Sequence, residues 1–171
     1  MRSRLAVILV ATAAALVASS SAAGSTPACH GGELRGHLLN SSGAAGTILL
    51  SVTLTNTGSA CSVRGFAGLL LVRGNKPLPT HVLHGGLGIL DQRPRLVVLR
   101  HGGVATVLIA YSDVPTGNES RCRTSTAILV TPPPTRRVSF SYGARVRVRT
   151  QACNHGTLRE SPVLAGRRKA S

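Results

Sequence analysis

The clearest pattern along the chain is a two-residue alternation of apolar and polar side chains. In Thr47–Asn56, aliphatic residues take the even positions 48 to 54, and Ser51, Thr53 and Thr55 take the odd positions from 51 to 55. Successive side chains of a strand point to opposite faces, so this segment is predicted to be a strand with one buried and one wet face. Residues 138–150 alternate in the same way and are also predicted to form a strand.

Shorter apolar runs lie between these segments and end at Gly- or Pro-containing turns. They comprise residues 69–72, 96–99, 104–111 and 127–130. The third run is almost continuously apolar and rich in β-branched residues, which is typical of a strand buried on both faces. No segment after Ala23 shows a convincing helical period. Short strands with turns every ten to twelve residues predict an all-β, antiparallel two-sheet sandwich.

The N-terminus has the pattern of a secretory signal peptide. Arg2 and Arg4 precede an apolar run at residues 5–18, and small residues then lead to a predicted cleavage site after Ala23. An uncleaved anchor is the alternative. No later stretch is apolar over the roughly 18 residues that a membrane span needs. The predicted layout is a signal peptide at 1–23, a β-sandwich at 24–155 and a flexible basic tail at 156–171.

Four cysteines follow the predicted cleavage site: Cys29, Cys61, Cys122 and Cys153. An even number in an exported chain is typical of disulfides, and the spacing favours pairing the first with the second and the third with the fourth. Each bond would close a loop of about thirty residues and stabilise the fold by about 3–4 kcal/mol. Zinc binding is disfavoured because no close cysteine pair is present. Lipid attachment at Cys29 is disfavoured by the preceding Thr-Pro-Ala.

Several short motifs resemble those of the DUF4232 family (domain of unknown function 4232). They are Cys29 with Glu33-Leu34, the string from Leu54 to Cys61, Gly65-Phe66-Ala67-Gly68, the string from Leu99 to Ala105, and Cys122 with Thr131-Pro132-Pro133. Ala67 and His101 stand where the family pattern has prolines. The resemblance implies an Ig-like β-sandwich, export from actinobacterial cells and no assigned activity. Within these motifs, Asn56 is expected to adopt a left-handed backbone or to bond its own backbone. Phe66 is expected to fill the core.

The charge of the chain is strongly positive, with 20 Lys and Arg against 5 Asp and Glu and a formal net charge of +15. Loss of Arg2 and Arg4 with the signal peptide lowers this to +13. The best candidate site is an anion-binding strip formed by Arg136, Arg137, Arg145, Arg147 and Arg149. Anionic polymers or lipids of the cell envelope are the expected partners, and the alternative is a solvated outer face that discourages aggregation. Nucleic acid fits poorly, because stacking platforms need aromatic side chains and the chain has only four of them.

No catalytic or cofactor motif is present in the sequence. The five acidic residues are scattered, no G-x-S-x-G elbow exists, and Gly86-Leu87-Gly88 lacks the third glycine of a dinucleotide loop. His81 and His84 would lie on opposite faces of a strand and could not share a metal ion. We therefore expect a secreted, non-enzymatic module without metal or cofactor. The alternatives are a small hydrolase whose Ser-His-acid triad is assembled from loops, and a structural spacer without a ligand.

Overall fold

The structure, a computed structural model, describes residues 25–133 and 142–170, and it is all-β. Its strands are β1 (Leu34–Ala44), β2 (Thr47–Asn56), β3 (Cys61–Val63), β4 (Gly68–Arg73), β5 (Lys76–Pro77), β6 (His81–His84), β7 (Val97–Leu99), β8 (Val104–Ser112), β9 (Arg123–Thr131), β10 (Ala144–Ala152), β11 (Thr157–Glu160) and β12 (Leu164–Ala165). The helices in these residues are three-residue 3₁₀ turns at Gly31–Glu33, Gly88–Leu90 and Asn154–Gly156. Among them none has the length and hydropathy to cross a membrane.

Two main sheets build the sandwich. The larger sheet has the order β1-β2-β8-β11-β6, with β12 also paired to β8, and the smaller has the order β10-β9-β4-β5. Neighbouring strands are antiparallel apart from the β11–β6 pair. Strands β3 and β7 form a separate antiparallel ribbon. The predicted antiparallel sandwich is therefore confirmed, with one parallel pair that the sequence pattern did not indicate.

The core between the sheets is almost entirely aliphatic. Leu50, Val52 and Leu54 of β2 face it, as the alternation predicts. In β8, residues 105–111 are buried without interruption, which confirms a strand covered on both faces. Tyr111 is the one aromatic residue among the described members of this core. Many small contacts therefore replace the large buried rings that usually anchor a sandwich.

The predicted wet face of β2 is wrong, because its hydroxyl residues are covered. Ser51 and Thr53 are buried, although they point away from the aliphatic row. A second apolar cluster that contains Leu90 and Leu108 lies outside the main core. Segments that follow β6 and β11 in the chain thus pack on the outer face of the larger sheet. Local alternation cannot show that residues far away in the sequence cover this face.

The strand predicted at 138–150 begins later than expected. Strand β10 starts at Ala144, and Tyr142 and Gly143 precede it as a turn. Residues 138–141 lie outside the described residues. A register shift between Arg147 and Thr150 places a bulge in the second half of β10. The bulge changes the pairing with β9, whereas the burial along β10 alternates as the sequence predicted, with Arg145, Arg147 and Arg149 exposed.

Both disulfides have the connectivity that the spacing favours. Cys29 is bonded to Cys61, and Cys122 is bonded to Cys153. The first bond holds the segment before β1 against β3, where the backbone N–H of Cys29 also donates to the carbonyl of Ser62 at 3.0 Å. No cysteine in the described residues is free.

Asn56 ends β2 by bonding backbone groups, and its φ is not left-handed. Its Oδ1 accepts the N–H of Gly58 at 2.9 Å, and its Nδ2 donates to the carbonyls of Ser59 and Leu99 at 2.7 and 2.9 Å. The buried amide therefore ties the turn after β2 to the end of β7. The second of the two roles predicted for Asn56 is confirmed.

The predicted flexible tail at 156–171 is wrong for the residues that the structure describes. Strand β11 lies between β6 and β8, and β12 pairs with β8. Further on, Thr106 Oγ1 donates to the carbonyl of Gly166 at 2.7 Å and accepts the N–H of Arg168 at 3.1 Å. Asn40 exchanges two hydrogen bonds with the backbone of Ala170. The domain therefore extends to residue 170, and these polar contacts hold a segment whose composition resembles a loop.

Candidate functional site

The first candidate site is a cleft where the edge strands of the two sheets meet. Strand β1 is an edge of the larger sheet and β10 is an edge of the smaller one. A Cβ added at Gly36 of β1 would lie 2.6 Å from Val146 Cγ2 of β10, so glycine allows the two edges to approach closely. The cleft between residues 31–38 and 143–147 has a volume of about 650 Å³.

The ionisable side chains that line this cleft, among the described residues, all belong to basic residues. They are Arg35 and His37 from β1 and Arg145 and Arg147 from β10. All four residues are exposed, and each pair lies two positions apart on its strand. A spacing of two places side chains on the same face, at roughly 6.6–6.8 Å along the strand. The cleft therefore has a basic row on each side and an unpaired strand edge along each wall.

Arg145 reaches across the smaller sheet. Its Nη2 donates to the carbonyl of Gly74, in the turn between β4 and β5, at 2.5 Å. Leu129, its partner on β9, belongs to an outer apolar cluster with Val72 and Ala127. The aliphatic stem of an arginine can cover such a cluster while its charged end stays in water. Arg145 thus has a hydrogen-bonded partner within the smaller sheet in addition to its charge.

The predicted arginine strip is only partly within the described structure. Arg145, Arg147 and Arg149 are exposed on β10, with the bulge interrupting the ladder at Arg149. Arg136 and Arg137 lie outside the described residues. Sequence reasoning missed Arg35 and His37, although Leu34, Gly36 and Leu38 alternate with them. That short alternation was the available signal for β1.

A second constellation surrounds a buried carboxyl group. Glu160, on β11, is fully buried, and its Oε1 lies 3.2 Å from Nδ1 of His84 on β6. The His84 side chain is 55% exposed, and its ring stacks on Phe66 with a centroid distance of 4.1 Å. Phe66 is only half-buried, with its ring against that of His84. The prediction that Phe66 fills the core is therefore wrong.

Burial raises the pKa of Glu160 to about 8, and the backbone of Ala67 offsets part of this effect. Neither carboxyl oxygen has a hydrogen-bond partner of good geometry among the described residues. A charged carboxylate is costly in such surroundings, so the carboxyl group holds its proton at neutral pH. Sequence reasoning missed this group because it assigned Glu160 to the tail.

The described residues show no hydrogen-bonded serine triad. His84 contacts Glu160, and Nδ1 of His101 lies 3.2 Å from the carbonyl of Gly58. Within residues 25–133 and 142–170, no hydrogen bond joins a histidine ring to a serine hydroxyl. The hydrolase alternative therefore gains no supporting observation.

Glu119 lies beside Cys122 and Cys153 in an arrangement that resembles a metal site. Both sulfur atoms are in the disulfide, so they cannot act as thiolate ligands while that bond is formed. The carboxylate of Glu119 accepts the backbone N–H groups of Asn154 and His155 at 2.5 and 3.1 Å. Both of those residues have left-handed backbones, and Glu119 stabilises this turn.

Comparison with known proteins identifies the family of this chain. A family model described as a domain of unknown function, DUF4232, matches residues 29–164. No curated protein and no solved structure matches the chain. The matched range begins at Cys29 and ends in β12, so it includes both disulfides, both edges of the basic cleft and Glu160.

Proposed function

The chain belongs to the DUF4232 family, and we propose that it is an exported, non-enzymatic binding module that holds anionic polymers of the cell envelope. The cleft between β1 and β10 carries the proposal. Arg35, His37, Arg145 and Arg147 line it, and none of its described lining residues is acidic. A surface of one charge sign around a cleft focuses the electric field and attracts ligands of opposite charge.

The geometry of the cleft suits a repeating anion. Arg35 and Arg147 stand on opposite walls, so a linear polymer that lies in the cleft could place successive phosphates against each of them. The planar guanidinium can bind a phosphate with two parallel hydrogen bonds, which a lysine cannot do. The near-exclusive use of arginine on this surface favours phosphate-rich polymers over weakly charged polysaccharides.

The two disulfide bonds support the proposal that the protein is exported. Two disulfides in a domain of this size are typical of proteins that fold in an oxidising compartment. The predicted signal peptide at 1–23, which lies outside the described residues, agrees with such a compartment. An anionic envelope polymer would then be in reach of the mature domain.

We expect the double variant Arg35→Gln/Arg147→Gln to bind poly(glycerol phosphate) at least tenfold more weakly than the wild type. It should also show a shallower dependence of affinity on salt, because about two fewer phosphates are neutralised. Isothermal titration at three salt concentrations measures both quantities. Neutral dextran serves as the ligand without charge and should not bind.

The matched control is Arg64→Gln/Arg100→Gln, which removes two charges from exposed positions outside the cleft lining. It should change the affinity by less than threefold. Equal losses in the two double variants would show that net charge alone attracts the polymer. That result, or no binding by the wild-type protein, would overturn the proposal.

A further inference from the structure

A separate depression lies on the outer side of the larger sheet. It is bounded by residues 89–97 and by the C-terminal segment 163–169, and its volume is about 810 Å³. The buried side chains of Leu108 and Val163 contribute to its lining. The depression therefore has an apolar base, unlike the cleft between β1 and β10.

Apolar side chains are also exposed at its margin. Leu96 is 64% exposed and Ile89 is 37% exposed, and Leu96 is the most exposed large apolar residue of the described structure. Leu96 immediately precedes β7, although its apolar run predicted that it would be part of that strand. Leaving such residues in water forfeits hydrophobic stabilisation, and exposed apolar groups with a polar border are typical of interaction surfaces.

The border of the depression is strongly basic. Arg93, Arg95, Arg168 and Lys169 line it, and Asp91 is the one acidic residue among its described lining. The carboxylate of Asp91 accepts the backbone N–H of Gly86 at 2.6 Å, so it already has a structural partner.

The C-terminal part of this border is held in place. Arg168 and Ala170 are bonded through their backbones to Thr106 and Asn40, as described above. These backbone hydrogen bonds fix the positions of Arg168 and Lys169 next to the apolar base of the depression. Little conformational entropy of the backbone is then lost when this border binds a ligand.

We propose that this depression docks the protein on the surface of an anionic phospholipid bilayer. Leu96 and Ile89 would enter the boundary between headgroups and acyl chains, and the four basic side chains would contact the anionic headgroups. An apolar residue flanked by basic ones is the composition that binds such surfaces. A hydrophilic polymer offers nothing for the apolar part to bind, so a lipid surface fits the depression better.

The test measures binding of the purified protein to phosphatidylcholine vesicles with and without phosphatidylglycerol. We expect binding to the anionic vesicles and none to pure phosphatidylcholine. Leu96→Ser should weaken binding about tenfold without changing its salt dependence, because the lost contribution is hydrophobic. Arg93→Gln/Arg95→Gln should weaken binding about fivefold per residue and make the salt dependence shallower.

The cleft variant Arg35→Gln/Arg147→Gln is the charge-matched control, since it removes two charges from the other site. It should retain vesicle binding within about threefold, whereas the variants at the depression should retain binding to poly(glycerol phosphate). If the two double variants lose vesicle binding equally, or if Leu96→Ser binds like the wild type, the proposed docking surface is wrong. Polymer binding on the same samples reports separately on the cleft.

Discussion

Replacing Glu160 with glutamine will remove most of the pH dependence of the protein's stability between about pH 5 and pH 8. The pKa of Glu160 is raised to about 8 in the folded protein, from an ordinary value of 4.5. The folded state therefore binds a proton more tightly than the unfolded state. This contribution to stability is fully present below pH 4.5 and is lost as the pH rises through 8, by up to about 1.4 kcal/mol per pH unit.

Glutamine has nearly the same shape as the protonated acid and does not titrate. Urea unfolding at pH 5, 6.5, 8 and 9 should give a wild-type free energy of unfolding that falls with pH, by on the order of 4 kcal/mol over this range. The variant should give a much flatter profile and should be the more stable protein at pH 9.

Two further variants serve as controls for this experiment. Among the described residues, His84 is the side chain that faces Glu160, so His84→Gln should be measured beside it as the variant that removes this contact. Glu33→Gln is the matched control, because it replaces a carboxyl group in the 3₁₀ turn before β1 and leaves the Glu160–His84 contact in place, and it should keep the wild-type slope. A Glu160→Gln profile as steep as that of the wild type would contradict the account.

Removing the Cys29–Cys61 bond by a double alanine substitution should cost about 3–4 kcal/mol. The bond joins residues 32 positions apart, and cross-linking a loop of this size restricts the unfolded chain by that amount. Both cysteines belong to the main core, so their replacement also removes buried contacts. Urea unfolding without reductant measures the loss.

The Cys122–Cys153 bond provides the comparison, with a separation of 31 and therefore a similar entropic contribution. Its double alanine variant should lose a similar amount, and wild-type protein in reductant should lose roughly the sum of the two. A loss below 1 kcal/mol for either variant would show that the bonds do not limit the unfolded state as described. Thiol alkylation before and after reduction confirms the number of bonds in each sample.

The sequence predicted the buried positions correctly where burial follows a pattern of neighbouring residues in the chain. The continuous apolar run at 104–111 predicted a strand covered on both faces, and the even positions of β2 predicted its core side. The even number of cysteines in a chain predicted to be exported indicated two disulfides, and their spacing favoured the pairing that the structure has. These features depend on local periodicity or on covalent chemistry, both of which a single sequence records.

The features that the sequence did not reveal depend on residues far apart in the chain. Ser51 and Thr53 look like a wet strand face, and only the tertiary structure shows that this face is covered. The C-terminal segment looks like a tail, yet Asn40 binds Ala170 across 130 positions. Once that segment is assigned to a tail, Glu160 cannot be recognised as a buried acid.

The sequence predicted the β10 side of the candidate site but not its β1 side. The alternation in β10 identified Arg145 and Arg147 as outward-facing, but nothing in the sequence indicated which edge would lie opposite them. Arg35 and His37 reach the same cleft because β1 and β10 are the edges of different sheets. Juxtaposition of two edges is a property of the sandwich as a whole.

The proposed function requires that the cleft between β1 and β10 binds an anionic polymer. The most direct test records two-dimensional NMR spectra of backbone amides and arginine side chains during titration with poly(glycerol phosphate). The account predicts saturable shifts at Arg35, Gly36, His37 and Arg147 that weaken as salt is added. Shifts spread evenly over all exposed arginines, or centred on Arg93 and Arg95, would contradict it.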